Sequence, residues 1–278
     1  MPTLFVFGLG YTASCLGAFL SERGWHISGT GRGGDVSFDD RAAVEHALTS
    51  ATHILSSVPP KDDDDPVLNS YGDAIRAFPG WIGYLSSTGV YGDTRGAWVD
   101  EGAPIGSGRR TGRSAADLAW QALGARVFRL PGIYGLGRSP LDRVAAGTAH
   151  RIDLPGQVFS RIHVDDIASG VIAGFDGPPG VYNLADDLPC SQNIVIAHAA
   201  ALLGIAPPPL RSIDDAALSP AARAFYAENR RVANGKAKRI LGWQPSYPDY
   251  RAGLGALNAK ISPTSASTHP AIASGDQR

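Results

Sequence analysis

Short apolar runs and helix-period stripes alternate along the first half of the chain. Thr3-Leu4-Phe5-Val6-Phe7 reads as a buried strand, and Ala13 to Arg23 as a helix with Leu16, Phe19 and Leu20 on its apolar stripe. Gly24 stands where that helix should end. Trp25 to Gly29 is a second strand, and Asp39 or Asp40 is placed to cap a helix carrying Val44, Ala47 and Leu48. The strand His53-Ile54-Leu55-Ser56 follows, then Val67, Tyr71, Ile75 and Phe78 at helical spacing, then a strand from Trp81 to Leu85. Ser114 to Leu123 is helical and Arg126 to Leu130 is again a strand. Strands alternating with helices of this length predict a parallel sheet covered on both faces.

The second half is less regular. Val164 to Phe175 has Ile167, Val171, Ile172 and Phe175 on one side of a helix, Val181 to Leu184 reads as a strand, and Ser191 is placed to cap a helix to Leu203. Pro207-Pro208-Pro209 marks a loop, and from Ser262 onward the Ser, Thr, Ala and Pro composition predicts a disordered tail. The expected organisation is an α/β domain over 1–160, a smaller C-terminal portion over 161–258, and the tail over 259–278.

Composition narrows the class. The 278 residues are 44% hydrophobic and 18% charged, enough apolar material for a sizeable core. The formal net charge of −1 argues against a nucleic-acid partner, which demands a strongly basic face. Leu4 to Leu20 is uncharged, but no Lys or Arg precedes it and Gly8, Gly10 and Gly17 interrupt it, so neither a signal peptide nor a membrane span is expected. Cys15 and Cys190 offer no disulfide framework or metal spacing. A cytoplasmic monomer or homodimer acting on a small molecule is the expectation.

Gly8-Leu9-Gly10-Tyr11-Thr12-Ala13 is G-x-G-x-x-A between the first strand and the first helix. That placement carries the chemistry: Gly8 for a tight turn, Gly10 for close approach of a pyrophosphate, Ala13 for helix–strand packing, and a helix N-terminus donating N–H groups to the anion. An NAD-binding chain usually carries an acidic residue at the end of the second strand for the ribose 2′-OH. Here Gly29-Thr30-Gly31-Arg32 stands instead, and a guanidinium with a neighbouring hydroxyl suits the 2′-phosphate of NADP. The alternative is NAD, with Arg32 a solvated loop residue and Asp35 holding the ribose.

Four further segments lie in order along the chain: Ser86-Ser87-Thr88-Gly89-Val90-Tyr91-Gly92, Arg129-Leu130-Pro131-Gly132-Ile133-Tyr134-Gly135, His163-Val164-Asp165-Asp166-Ile167-Ala168 and Val181-Tyr182-Asn183-Leu184. With the glycine loop they make the chain resemble the extended short-chain dehydrogenase/reductases, the nucleotide-sugar epimerase and dehydratase superfamily. The resemblance implies a Rossmann-type doubly wound sheet of about seven strands and a small C-terminal portion closing over the substrate. It implies that Ser87 polarises the substrate oxygen, that Asp35 and Val36 lie near the adenine, and that Ser56, Ser57 and Val58 lie beside the nicotinamide ribose.

Departures from the family pattern fall at its chemical centre. The family's Tyr-x-x-x-Lys segment should lie within Pro104 to Asp117, which contains neither residue. With Asp117 at the family's acidic helix position, Arg109 replaces the tyrosine and Arg113 the lysine; a shifted register places Thr111 and Ala115 there. The first keeps a cation near the ribose and is preferred. Arginine does not exchange protons near neutrality, although it stabilises an oxyanion. Phe159 occupies the position where many members bind a substrate diphosphate with arginine, Arg161 lies two residues on, and Phe7 replaces the first glycine of G-x-x-G-x-x-G. Such a pattern resembles the atypical extended members.

Tyr91 and Tyr134 are candidate replacement acids, weighed against packing roles under the cleft. His163 with Asp165 reads as a helix anchor rather than a catalytic pair, and Lys61-Asp62-Asp63-Asp64-Asp65 as a solvated loop. The expected function is an NAD(P)-dependent oxidoreductase with Ser87, Arg113 and Tyr91 as its candidate catalytic residues. The alternative is a dinucleotide-binding regulator or scaffold that turns nothing over.

Overall fold

The computed structural model describes residues 1–62, 64–106, 111–216 and 218–261. Its first half runs β1 (Thr3–Phe7), α1 (Tyr11–Ser21), β2 (His26–Gly29), α2 (Arg41–Ser50), β3 (His53–Ser56), α3 (Pro66–Arg76) and β4 (Trp81–Ser87), closed by a 3₁₀ turn over Thr88–Tyr91. There follow β5 (Trp98–Val99), α4 (Thr111–Ala122), β6 (Arg126–Leu130), β7 (Gly132–Tyr134), α5 (Pro140–Ala145), β8 (Arg151–Ile152) and β9 (Arg161–His163). The chain then forms α6 (Val164–Ala173), β10 (Gly180–Asn183), α7 (Gln192–Leu202), β11 (Leu210–Arg211), α8 (Pro220–Phe225), β12 (Arg231–Val232), α9 (Gly235–Leu241) and α10 (Tyr250–Ile261).

A six-stranded sheet in the order β10-β6-β4-β3-β1-β2 is the centre, with every pairing parallel. Alternate β1 side chains serve opposite faces. Leu4 and Val6 join the core under α1 and α6, while Phe5 and Phe7 join Val44, Val67, Tyr71 and Trp120 from α2, α3 and α4. A separate apolar cluster from α5, α7 and α10 contains Leu141, Val195 and Leu254. No described helix is long and apolar enough to cross a membrane.

Helix ends are where local chemistry moved the expected boundaries. The helix α1 begins at Tyr11 rather than Ala13, and the side chain of Asp40 caps α2 by accepting from the Ala43 amide at 3.0 Å. Asp65, expected in a solvated loop, is buried: its carboxylate caps α3 at Val67 and Leu68 and accepts from the Trp120 indole N–H at 2.8 Å. The expected seven strands are six in the main sheet of the described residues. After β2 the backbone turns back on itself, and Asp35 accepts from the Gly29 amide (2.8 Å) and the Ser28 hydroxyl (2.9 Å). The expected tail from Ser262 lies outside the described residues.

Candidate functional site

The sheet order reverses direction between β1 and β3, and in open α/β sheets ligands bind outside the carboxyl ends of the strands at such a point. The glycine loop sits there. Gly8 has a φ of +84°, and a Cβ on it would lie 2.8 Å from Val58 Cγ2 and 3.2 Å from Ser57 Oγ. The Ser57 hydroxyl donates to the Gly8 carbonyl, the Gly8 amide donates to the Thr30 hydroxyl at 3.1 Å, and Leu9 N–H donates to the Thr30 carbonyl at 2.6 Å. The turn is thus held from β2 and β3 together.

Gly10 differs. Its backbone is extended (φ −105°), and a Cβ there would meet only the Gly8 carbonyl oxygen at 3.8 Å. The protein's own packing therefore leaves room at Gly10. It is the N-cap of α1 and supplies no side-chain cap, and the first intrahelical bond is the one from Ser14 to the Gly10 carbonyl. The amides of Tyr11, Thr12 and Ala13 precede that bond, so they are the donors an anion would meet. Ala13 is fully buried against the sheet, which keeps the helix close. These features fit the pyrophosphate of a dinucleotide.

At the end of β2, Arg32 is exposed and makes no side-chain bond with another described residue. Thr30, the expected neighbouring hydroxyl, is buried and committed to the Gly8 amide, so the hydroxyl expected beside Arg32 is a strut of the loop. Burial works to raise the Asp35 pKa, yet hydrogen bonds from Gly29 and Ser28 outweigh it and hold the carboxyl below its usual range. Val36 packs beside the α2–α3 side of the core. Ser56 is fully buried at the end of β3, and Ser57 and Val58 brace Gly8.

Ser87 and Arg113 line one cavity of about 370 Å³, together with Thr88, Pro131, Phe159 and Glu228. Ser87 Oγ accepts from the Gly89 amide at 3.1 Å, which leaves its own O–H to donate. Arg113 stands one helical turn before Asp117 on α4, whereas Ala115 is exposed and does not line this cavity. Arg109 lies outside the described residues.

Tyr91 does not reach the cavity, a correction to its expected role. Its hydroxyl donates to Asn183 Oδ1 at 2.8 Å and accepts from Arg129 Nη1 at 3.0 Å, and burial raises its pKa. Tyr134 lines a second, adjoining cavity of about 770 Å³, and burial likewise pushes its pKa up. His163 is the helix anchor: its Nδ1 caps α6 by accepting from the Asp165 amide at 3.2 Å.

Arg161 borders the second cavity but is spent on structure, donating to the carbonyls of Phe159 and Cys190 and to Gln192 Oε1 at 3.0 Å. Phe159 stacks on Phe225 with ring centroids 4.6 Å apart. Sequence reasoning missed Arg138, Arg143, Phe225 and Glu228, whose meeting depends on long-range chain return rather than on any local spacing.

No family model matches the chain. A functionally unknown conserved protein from Silicibacter pomeroyi has a solved structure that is 45% identical, superposes with a TM-score of 0.83, and covers 94% of this chain and 99% of that one. The chain belongs to that protein's family. The structure of human epimerase family protein SDR39U1 (isoform 2) with NADPH is 19% identical, with a TM-score of 0.74, covering 92% of this chain and 99% of that one. Protein YeeZ of Escherichia coli is 26% identical over 292 aligned positions, covering 90% of this chain and 97% of its own length. The fold of the family is that of the epimerase/dehydratase proteins.

Proposed function

We propose that this chain is an NAD(P)-dependent oxidoreductase related to the nucleotide-sugar epimerases and dehydratases. The observation that carries the reading is the unfilled space at Gly10, at an α1 N-terminus with no side-chain cap, on the switch point of the sheet. The amides of Tyr11, Thr12 and Ala13 would hold the pyrophosphate, with Gly8 shaping the turn. Arg32, exposed and without a bonded partner among the described residues, favours the 2′-phosphate of NADP. Asp35 and Val36 would border the adenine side, and Ser56, Ser57 and Val58 the nicotinamide side. Similarity in fold to a human epimerase family protein solved with NADPH supports the same cofactor class.

When bound, the nicotinamide supplies or accepts a hydride. The chain's own part is played in the Ser87 cavity. Ser87 donates its O–H to a substrate oxygen, and Arg113 stabilises negative charge developing there. Tyr91 is held away by Asn183 and Arg129, so the proton comes from substrate or solvent. Cys15 and Cys190 are free thiols, in keeping with a reducing, cytoplasmic setting.

Thermal unfolding with each cofactor tests the reading. NADPH should raise the melting temperature more than NADH. Equal shifts would remove the Arg32 argument, and no shift with either would overturn dinucleotide binding. Binding without turnover across a panel of carbonyl compounds and nucleotide sugars would support the regulator reading instead.

A further inference from the structure

The second cavity, beside the one that holds Ser87, is lined by Arg138 and Arg143, which have no carboxylate partner among the described residues. Arg143, on the last turn of α5, lines it and makes no side-chain hydrogen bond or ion pair with another described residue. Arg138 lines both cavities; its guanidinium sits 5.7 Å from the centre of the Tyr11 ring, with no carboxylate partner among the described residues. Other arginines near the cleft are spoken for. Arg161 donates to Phe159, Cys190 and Gln192, and Arg230 pairs with Glu228 at 2.8 Å. Among the described residues, the acid in the wall of this cavity is used as well: Asp142 accepts from the amide and hydroxyl of Ser139 at 2.6 and 2.7 Å.

A guanidinium in this position is electrostatically unfinished. Solvent reaches Arg143, yet crowding by the cavity walls lowers its pKa, and the nearby positive charge of Arg161 acts in the same direction against the help of Tyr226. A bound anion would relieve both effects. Aromatic rings line the same cavity. Phe159 and Phe225 lie parallel, 6° apart, and Tyr226 meets Phe159 edge-on at 5.5 Å. Phe159 lines both cavities, so a molecule seated on it would extend from Arg143 toward Ser87.

We infer that this cavity is an acid subsite, in which Arg143 receives the carboxylate or phosphate of a small organic anion while its ring or chain lies along Phe159 and Phe225. The inference rests on the proposed use of the Ser87 cavity as the reaction site and names the class of substrate for it. Arg143 is a specificity residue here, holding the end of the molecule remote from the reacting carbon.

Calorimetric titration of the full chain saturated with NADPH tests this, using phenylacetate, phenyl phosphate and neutral phenylacetamide as probes. At least one anion should bind roughly 10- to 100-fold more tightly than the amide, the range of a charge-assisted bond. Preference for phenylacetate assigns a carboxylate, and preference for phenyl phosphate a phosphate. Arg143→Gln should remove that margin, Arg143→Lys should keep part of it, and both should leave NADPH affinity and melting temperature unchanged. Equal binding of acid and amide, no binding of any probe, or an anion margin that survives Arg143→Gln would overturn the inference. Repeating the titrations without NADPH separates the two readings. A chain that fails to bind NADPH but still prefers the anion through Arg143 loses the cofactor reading and keeps the subsite.

Discussion

Arg129 and Asp117 form a two-bond ion pair beneath the strand end that carries Ser87, with Nη2 to Oδ1 at 2.7 Å and Nε to Oδ2 at 3.0 Å. Both side chains are buried, 3% and 0% exposed. Ser86 donates to the same carboxylate at 2.5 Å, Gln121 does so at 2.6 Å, and Arg129 continues the chain to Tyr91 and through it to Asn183. One polar network therefore ties β4, α4, β6, the 3₁₀ turn and β10 together. Removing one partner of a buried pair leaves the other charge uncompensated. Asp117→Ala should cost ~3–5 kcal/mol in urea unfolding. Asp117→Ala combined with Arg129→Met should cost less than the single change, because no charge is then stranded; a single-variant cost below about 1 kcal/mol would refute the pair's burial.

Gly8 and Gly10 should respond differently to substitution. Gly8→Ala meets both a left-handed φ of +84° and Val58 at 2.8 Å, so a stability loss of ~1–3 kcal/mol is expected. Gly10→Val finds extended backbone and a nearest Cβ contact of 3.8 Å, so folding should lose only about 1 kcal/mol, the scale of a poorer N-cap, while the NADPH-induced melting shift disappears. Retained NADPH binding in Gly10→Val would refute the loop assignment.

Ser87→Ala should lower the rate of the reductive step on any substrate found by roughly 10²- to 10³-fold, the scale of one lost oxyanion donor. NADPH affinity should be unchanged, and Ser87→Thr should restore part of the rate. Single-turnover NADPH absorbance reads the step directly. Full activity in Ser87→Ala would remove the residue from the mechanism.

Asp186 gives a pH signature. Burial pushes its pKa up to about 7, against the opposing charge of Arg161. Between the unfolded carboxyl value near 4 and this folded value, the native state holds the extra proton, so stability falls as pH rises through that window. His53 works the other way, because burial lowers its pKa to about 4 and native stability is lost as pH falls toward it. The difference between the wild type and Asp186→Asn isolates the carboxyl. Wild type should lose ~2–4 kcal/mol relative to Asp186→Asn on going from pH 4 to 8 in urea unfolding. A pH-independent difference would show that Asp186 ionises normally.

The strands were the most legible part of the chain. His53–Ser56 and Arg126–Leu130 have the bounds expected of them, because each centres on a short apolar pair, Ile54-Leu55 and Val127-Phe128, of the kind a buried parallel strand favours. The glycine loop was legible for a similar local reason: turn, helix start and anion donors are adjacent in sequence. Asp65 was not. Within a run of charges it looks solvated, and only the approach of Trp120 and the α3 amides makes its carboxylate a buried cap. The environments of Thr30 and Tyr91 were not legible for the same reason, since each hydroxyl is claimed by a group distant in sequence.

The sequence by itself determined the parallel α/β architecture, the dinucleotide-type loop from Gly8 to Ala13, and the absence of Tyr and Lys from the Pro104–Asp117 segment. These follow from periodicity and adjacency, which a linear chain displays. Tertiary structure alone decided that Ser87 and Arg113 share a cavity, that Arg129 neutralises Asp117, and that Arg143 shares a cavity with aromatic rings and has no ion-pair partner among the described residues. Such pairings depend on which side chains reach one another across the fold. Charge and burial are properties of that environment, not of the residue.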